Sequence, residues 1–290
     1  MDGKGYVDLH SHTVFSDGTF TPEELVALAA DIKLKAVAIT DHDGTDGIER
    51  ALAAGEEYGV EVIPGIELAV NYTDICETEI HIVGLFIDHK NKELSDMIDE
   101  IRAERVNRNV AMVKRLRDMG FDITYEELEK VAAGDIISRP HYGRLFMQKG
   151  YVKSIAEMFD KYIGDGGPAY IHRVLPTPEK AIKTVLAAGG VPVLAHPTLY
   201  KMDYTRIRRM ADEFIGYGLK GIEVRYSTYN HEQEREITRI ADERKLLYSG
   251  GSDFHGENKP DIQLGVGKGT LRVPDEFLDR IKEWVRGERA

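Results

Sequence analysis

The sequence contains little cysteine, little positive charge and no long hydrophobic run, and each absence excludes a class of protein. Its single cysteine, Cys76, cannot form an intrachain disulfide, so the composition is not that of a disulfide-stabilised secreted domain. The longest stretches without charged residues are short and are interrupted by Gly, Pro and His, which argues against a membrane-spanning segment. The N-terminal residues lack the apolar core of a signal peptide, and we therefore expect a cytoplasmic protein.

The balance of charge restricts the binding partners. The 290 residues include 38 Lys and Arg against 50 Asp and Glu, which gives a net charge of −12 at pH 7. A chain this acidic repels phosphates except where positive charge is concentrated. We therefore expect no membrane association and no stable binding to duplex nucleic acid.

Short runs rich in Val and Ile alternate along the chain with stretches of helical periodicity. The runs predict strands at residues 6–10, 36–40, 60–68, 80–87, 191–195, 221–225 and 246–250. Between them, Thr21-Pro22-Glu23-Glu24 has the pattern of a helix capping box with proline at the first helical position. Strands that alternate with helices predict an α/β fold with a parallel sheet, either open and doubly wound or closed as a barrel.

The alternation stops between residues 96 and 170. Apolar residues recur at helical spacing from Val106 to Leu116, further helix starts follow, and we find no convincing strand. An all-helical stretch inside a strand–helix series predicts an inserted subdomain. We therefore expect a small helical insertion at residues 96–170 that caps the substrate, within a domain formed by residues 1–95 and 171–290.

Histidines and carboxylates follow one predicted strand after another. The residues are His10, His12, Asp17, Asp41, His42, Glu67, His196, Asp253 and His255, together with His81, which begins its strand instead of ending it. The carboxyl ends of parallel strands meet at one face, so these side chains should lie close together. Carboxylates gathered in a cleft disfavour one another's ionisation, whereas divalent cations remove that cost and also bind neutral imidazoles. So many N and O ligands without thiolate suit two or three ions of Mn²⁺, Fe²⁺ or Zn²⁺.

The motifs that contain these residues resemble those of the PHP (polymerase and histidinol phosphatase) superfamily. The matching motifs are Asp8-Leu-His-Ser-His-Thr13, Phe15-Ser-Asp-Gly18, Ile39-Thr-Asp-His-Asp43, Pro64-Gly-Ile-Glu67, Ala195-His-Pro197 and Gly251-Ser-Asp-Phe-His255. The resemblance covers nearly the whole chain. It implies a distorted (β/α)₇ barrel and a trinuclear metal centre that prefers Mn²⁺.

The resemblance also implies how the ligands are shared among the ions. The first ion would be bound by His10, His12, Glu67 and Asp253, the second by Asp17, His42 and His255, and the third by Glu67, His81 and His196. Metal-activated water would be the nucleophile in phosphoester hydrolysis. Glu67, His255 and Asp41 would support that water.

Within the superfamily, the chain length, the helical insertion and the sequences Ser138-Arg-Pro-His141, His81-Ile-Val-Gly84 and Arg102-x-x-Arg105 resemble the branch that contains 3′,5′-nucleoside bisphosphate phosphatase and the 5′-3′ exoribonuclease called ribonuclease AM. This resemblance implies hydrolysis of the 3′-phosphate of a bisphosphonucleoside, removal of nucleotides from the 5′ end of short RNA, or both. A second phosphate would be bound by the insertion through Arg102, Arg105, Arg139 and His141. The neighbouring Arg108, Lys114 and Arg117 are interpreted as a solvated helix face.

Other functions compete with this interpretation. Histidinol-phosphate phosphatase, or another small-molecule phosphomonoesterase, would use the same centre without a distant basic anchor. A non-catalytic accessory module, as in PHP domains fused to polymerases, would bind metal without turnover. An amidohydrolase-like barrel usually brings a carbamylated lysine at a strand end, and no predicted strand end here carries a lysine.

Overall fold

The computed structural model describes residues 5–72, 79–132 and 137–288, and the chain divides into two compact units. The first, here called the barrel unit, comprises Met1–Ile98 and Leu175–Ala290. The second, the helical unit, is Asp99–Val174 and overlaps the stretch expected to be inserted, 96–170. Its role as a cap over the substrate stays a prediction. Cys76 lies outside the described residues.

One eight-stranded sheet forms the frame of the barrel unit. Its strands are β1 (Tyr6–Asp8), β2 (Ala36–Ile39), β3 (Glu61–Val70), β4 (Ile80–Leu85), β5 (Val191–Leu194), β6 (Gly221–Tyr226), β7 (Leu247–Gly251) and β8 (Val273–Pro274), in the spatial order β7-β6-β5-β4-β3-β2-β1-β8. Beyond β1, the Leu9 N–H donates to the Gly250 carbonyl of β7 at 3.1 Å, so the sheet curves back on itself. The predicted barrel and its seven strands are confirmed, while the short β8 is an addition that the sequence pattern did not predict.

The direction of β4 differs from the parallel sheet that the strand–helix alternation predicts. β4 is antiparallel to both β3 and β5, and β8 is antiparallel to β1, whereas the other pairs are parallel. None of the residues described between β3 and β4 is helical. A reversed strand starts where its parallel neighbours end. The pairing of His81 with Ala69 therefore places the beginning of β4 near the carboxyl end of β3.

The described residues form ten α-helices. They are α1 (Pro22–Asp31), α2 (Ile48–Tyr58), α3 (Lys92–Asp118), α4 (Tyr125–Ala132), α5 (Arg139–Gln148), α6 (Ile155–Met158), α7 (Pro178–Ala187), α8 (Tyr204–Tyr217), α9 (His231–Arg244) and α10 (Asp275–Glu288). The predicted capping box begins α1: the Thr21 N–H donates to the Glu24 carboxylate at 2.8 Å, and the Glu24 N–H donates to Thr21 Oγ1. None of the helices described is both long and apolar enough to cross a lipid bilayer.

Each unit has an apolar core of its own. In the barrel unit, inward-facing strand residues such as Val7, Ala38 and Val193 are fully buried. In the helical unit, the end of α3 packs with α4 and α5 through residues such as Leu116 and Phe146. The alternation of apolar and polar positions along these helices explains why the stretch could be recognised as helical from its periodicity.

Candidate metal centre

The nine predicted metal ligands lie at one edge of the sheet in the barrel unit, where they follow a strand, begin one or, for Glu67, lie within one. They are His10 and His12 after β1, Asp17 on the following loop, His42 after β2, Glu67 in β3, His81 in β4, His196 after β5, and Asp253 and His255 after β7. Backbone pairing continues past the strands and holds them together. The Asp253 N–H donates to the His10 carbonyl and the His12 N–H to the Phe254 carbonyl, both at 2.9 Å.

Glu67 lies at the centre of this group, and its side chain is 1% exposed. Its Oε1 is 2.8 Å from His81 Nδ1 and 3.0 Å from His196 Nε2. Its Oε2 faces three more imidazole nitrogens at 3.1 to 3.2 Å. Those three rings are His10, His12 and His42. Because β4 is reversed, His81 contacts the same carboxylate as rings that follow parallel strands.

Three overlapping groups of side chains could each hold a cation. Within each group, one candidate ligand atom per residue lies within 4.8 Å of all the others. The groups are His10, His12, Glu67 and Asp253; His12, Asp17, His42 and His255; and His42, Glu67 and His81. The first is the predicted first ligand set, the second adds His12 to the predicted second set, and the third contains His42 where His196 was predicted. Ligation itself stays a prediction for all nine residues.

Buried polar atoms at the middle of the cluster fit a cation. Among the described residues, His10 Nε2, His12 Nε2 and Glu67 Oε2 are buried without a hydrogen-bond partner. Each of the two nitrogens nevertheless lies 3.2 Å from the Glu67 oxygen. Buried polar atoms normally make hydrogen bonds, so such a convergence calls for an explanation. Imidazole nitrogen and carboxylate oxygen are ligands that divalent transition metals accept, and a cation among these atoms would satisfy them together.

The cluster shifts the protonation equilibria of its members in opposite directions. Burial by itself raises the pKa of the Glu67 carboxyl, but the surrounding imidazoles, led by His10, hold it well below its usual range. Burial lowers the pKa of His12, but Asp253 and Glu67 outweigh it and raise the value to about 9. For His42 burial prevails, and its pKa falls to about 3. Without a cation, the buried carboxylates favour the protonated forms of His10 and His12.

Three further residues, which the sequence analysis did not predict, contact the predicted ligands His10 and Asp253. Glu223 Oε1 is 2.8 Å from His10 Nδ1. The Tyr226 hydroxyl donates to Asp253 Oδ2 at 2.6 Å, and Lys259 Nζ donates to the same oxygen at 2.7 Å. Glu223 is a single acid within a predicted strand, and no spacing in the sequence marks it as part of the site.

Asp41 contacts the loop that follows β1, and its support of a metal-bound water stays a prediction. Its two carboxylate oxygens accept hydrogen bonds from the Thr13 N–H, the Thr13 hydroxyl and the Ser16 hydroxyl, at 2.6 to 2.7 Å. In the part of the chain that the structure describes, none of the three ligand groups includes it. Asp41 holds the loop that leads to Asp17.

His255 is held on both sides of its ring. Its Nδ1 is 2.8 Å from the Asp253 carbonyl, which can only accept, so Nδ1 carries the hydrogen. Its Nε2 lies 3.2 Å from Asp17 Oδ1. The ring therefore presents Nε2 to the second ligand group.

The predicted phosphate-binding residues belong to the helical unit, and two of them, Arg139 and His141, have partners described there. Arg139 Nη1 donates to Asp165 at 2.9 Å, and its guanidinium lies 5.4 Å from the centre of the Phe159 ring. His141 is 7% exposed, and its Nδ1 accepts the Ser138 N–H at the start of α5, at 2.9 Å. Arg102 and Arg105 are half-buried on α3.

Arg108 departs from the interpretation of a solvated helix face. Its side chain is half-buried, and its Nε is buried with no hydrogen-bond partner among the residues described. Burial, reinforced by Arg173, Arg105 and Arg139, lowers its pKa to about 10. The interpretation holds for Lys114 and Arg117, which are exposed. The helical unit thus contains a group of neighbouring guanidiniums.

Comparison with known proteins gives consistent results. Residues 8–168 match the family model described as PHP domain. The chain is 34% identical over 248 residues, 86% of its length and 89% of the relative, to a 5′-3′ exoribonuclease of Haemophilus influenzae. It is 34% identical over 259 residues to a 3′,5′-nucleoside bisphosphate phosphatase of Chromobacterium violaceum, covering 88% of this chain and 90% of the relative.

A solved structure from Bifidobacterium adolescentis has the same fold. It shares 33% sequence identity with this chain, with a TM-score of 0.77, and the match covers 96% of this chain and 95% of that one. That protein is described as a metal-dependent phosphoesterase, and this description is an assignment.

Proposed function

This chain belongs to the PHP domain family, and from that premise we propose that it is a metal-dependent phosphoester hydrolase acting on nucleotides. Its substrates would be the 3′-phosphate of 3′,5′-bisphosphonucleosides, the 5′ end of short RNA, or both. The observation that carries the proposal is the convergence of buried imidazoles on the two oxygens of Glu67. The names of the two relatives support the choice of substrate.

The proposed cofactor is a set of three divalent cations, Mn²⁺ first and Fe²⁺ or Zn²⁺ as alternatives. The residues that would hold them are His10, His12, Asp17, His42, Glu67, His81, His196, Asp253 and His255. When bound, such cations would lower the pKa of water and neutralise charge on the phosphate. Glu67, with imidazoles against both of its oxygens, is the residue best placed to serve more than one ion.

The protein's own groups would prepare the ligands. The Asp253 carbonyl fixes the ring of His255 so that Nε2 faces Asp17. Asp41 fixes the Thr13–Ser16 loop, so its proposed support of the metal-bound water would act through the loop that leads to Asp17.

The second phosphate would be bound by guanidiniums of the helical unit. Arg139 is the first residue of α5, and a helix N-terminus favours an anion. The charge of Arg108 would add to the positive field. Arg102, Arg105 and His141 are the other residues proposed for this role. Guanidinium binds phosphate with two parallel hydrogen bonds, which suits recognition of a phosphate that is not cleaved.

The experiment that tests this function measures phosphate release from adenosine 3′,5′-bisphosphate in the presence of Mn²⁺. 5′-AMP and histidinol phosphate are the competing substrates, and EDTA is the control. We expect release from the bisphosphate, with 5′-AMP as product, and loss of activity with EDTA. A 5′-phosphorylated RNA of a few nucleotides should be shortened from that end.

Other outcomes would change the proposal in defined ways. Preferential release from histidinol phosphate would leave the metal centre in place and remove the role of the basic residues. Bound metal without turnover on any of these substrates would replace the hydrolase with the accessory module.

A further inference from the structure

We propose that Glu223 is a positioning residue of the metal centre, because its carboxylate fixes two predicted ligands that follow different strands. These ligands are His10, after β1, and His196, after β5. The inference rests on the proposed function, since it requires cations at the cluster. Glu223 itself lies outside the three candidate ligand groups among the described residues.

The first contact selects the form of the His10 ring. Glu223 is fully buried, and its Oε1 lies 2.8 Å from His10 Nδ1. A carboxylate can only accept, so Nδ1 must carry the hydrogen of this bond. The other nitrogen, Nε2, is then left to face Glu67 Oε2 at 3.2 Å and Asp253 Oδ1 at 3.7 Å. A histidine held in this way by a carboxylate is oriented for a cation and made a stronger ligand.

The second contact holds the backbone of His196. Its N–H donates to Glu223 Oε2 at 2.6 Å. His196 has φ of 27°, in the left-handed region that residues other than glycine seldom adopt. Such a conformation persists only where the surroundings impose it. The hydrogen bond to Glu223 is one such constraint, and the ring of His196 is thereby presented to Glu67 Oε1 at 3.0 Å.

The two contacts explain why the position holds a carboxylate. The site offers two hydrogens, one from an imidazole and one from a backbone amide, and a carboxylate accepts both. The amide of Gln can accept with its oxygen only, and its NH₂ group would oppose the second donor. Ala would accept neither hydrogen. From Glu to Gln to Ala, the side chain at this position therefore accepts fewer of the two hydrogens, and the positioning of His10 and His196 should weaken in the same order.

The test is a titration of the full-length protein with Mn²⁺, in which the EPR signal of the free ion reports binding. Glu223→Ala should weaken binding by about 10- to 100-fold, the usual effect of losing such a supporting partner, and Glu223→Gln should fall between it and the parent. Arg225→Gln, on the same strand, removes a side chain that pairs with Glu234 at 3.5 Å, and should bind like the parent. Thermal unfolding of each metal-free variant shows whether it is folded.

The outcomes separate the inference from the proposed function. A parent protein that binds no Mn²⁺ would overturn the proposed function. A parent that binds, with Glu223→Gln and Glu223→Ala binding equally well, would overturn the positioning role alone. A lower unfolding temperature with unchanged affinity would also overturn it, because a purely structural carboxylate predicts that result. If Glu223→Ala does not fold, Glu223→Gln decides.

Discussion

The two units of the molecule gather charge in opposite ways. In the barrel unit, buried carboxylates and imidazoles face one another at about hydrogen-bond distance, and Glu67 is surrounded by rings on both oxygens. In the helical unit, Arg108 has guanidiniums as its charged neighbours, and its Nε finds no hydrogen-bond acceptor within the described ranges. A concentration of ligand atoms selects cations, whereas a concentration of N–H donors selects anions. These are the two kinds of charge cluster that the proposed metal-assisted phosphate chemistry would use.

The difference in burial determines how much each site can tolerate. The centre of the barrel cluster, around Glu67, His10 and His12, is removed from water, so an unbalanced charge there has a large energetic cost. The arginines of the helical unit are half-buried, and solvent screens part of any change in their charge. Substitutions in the barrel cluster should therefore have the larger effects.

The largest effect should follow from Glu67→Gln. The amide keeps the shape of the side chain, but one oxygen becomes a donor and the negative charge is lost. Charge stabilisation by cations contributes several kcal/mol to phosphoester hydrolysis, and each 1.4 kcal/mol is about tenfold in rate. We expect kcat on adenosine 3′,5′-bisphosphate to fall by about 1,000-fold, measured as phosphate release with saturating Mn²⁺.

Glu61→Gln is the matched control for this substitution. It changes the same residue type on the same strand, where the side chain is exposed and pairs with Lys282. Its kcat should equal that of the parent. A Glu67→Gln variant with parental kcat would contradict the metal centre as described.

Most of the barrel cluster could be predicted from the sequence, and the reason is topological. Short β-rich runs that end in histidine or aspartate point to one edge of a sheet, whatever the details of the barrel. His81 shows the limit of this reasoning. Residue patterns predict strands but not their direction, and only the antiparallel pairing of β4 shows why a strand that begins with a ligand reaches the same edge.

The residues that could not be predicted act through other residues. Glu223 belongs to none of the predicted ligand sets. A single buried acid in a strand has no spacing that would mark it as part of the site. The same holds for the helical unit. In the sequence, Arg108 cannot be distinguished from the solvated basic residues near it on the same helix. Only the packing around α3 shows that its Nε is buried.

The second largest effect should be the pH dependence of metal binding. Because the pKa of His12 is raised to about 9 in the metal-free protein, a cation must displace a proton from this ring at neutral pH. The proton displaced from His12 should by itself strengthen binding by about tenfold per pH unit, or about 100-fold between about pH 6.5 and 8.5. The raised pKa of His10 acts in the same direction. The pKa of His42, about 3, adds nothing in this range.

Isothermal titration with Mn²⁺ in buffers of different ionisation enthalpy would measure both the affinity and the protons released. Binding of a nucleotide phosphate by arginine should not follow the same curve, because guanidinium stays charged across this range. A metal affinity independent of pH would mean that the barrel cluster binds cations without first losing protons. In that case the pH dependence of binding would not distinguish the barrel cluster from the arginines of the helical unit.

A smaller effect should follow from Arg139→Gln. The loss of one charge-assisted hydrogen bond to the second phosphate, about 1.5 to 2 kcal/mol, should raise KM for adenosine 3′,5′-bisphosphate by about 10- to 30-fold. Because the residue is proposed to bind and not to react, kcat should stay at the parental value. Lys114→Gln, an exposed residue of α3 paired with Asp118, is the control and should leave KM unchanged. A parental KM for Arg139→Gln would remove this arginine from the substrate site.

The smallest effect should follow from Tyr226→Phe, which tests the barrel cluster at its edge. Burial, together with Asp253, raises the pKa of Tyr226 well above its usual range, so the hydroxyl stays protonated and donates to Asp253 Oδ2. Lys259 donates to the same oxygen, so the carboxylate keeps one partner in the variant. The loss of one hydrogen bond of about 1 kcal/mol should weaken Mn²⁺ binding by about fivefold.

Tyr217→Phe is the control, because its hydroxyl donates to Glu213 on the exposed face of α8. A loss of 100-fold in Tyr226→Phe would mean that Lys259 cannot hold Asp253 alone. No loss at all would mean that the ammonium suffices. Either result would show whether the metal centre of the barrel unit tolerates the loss of one hydrogen bond to Asp253, as the half-buried arginines of the helical unit are expected to tolerate the loss of one contact.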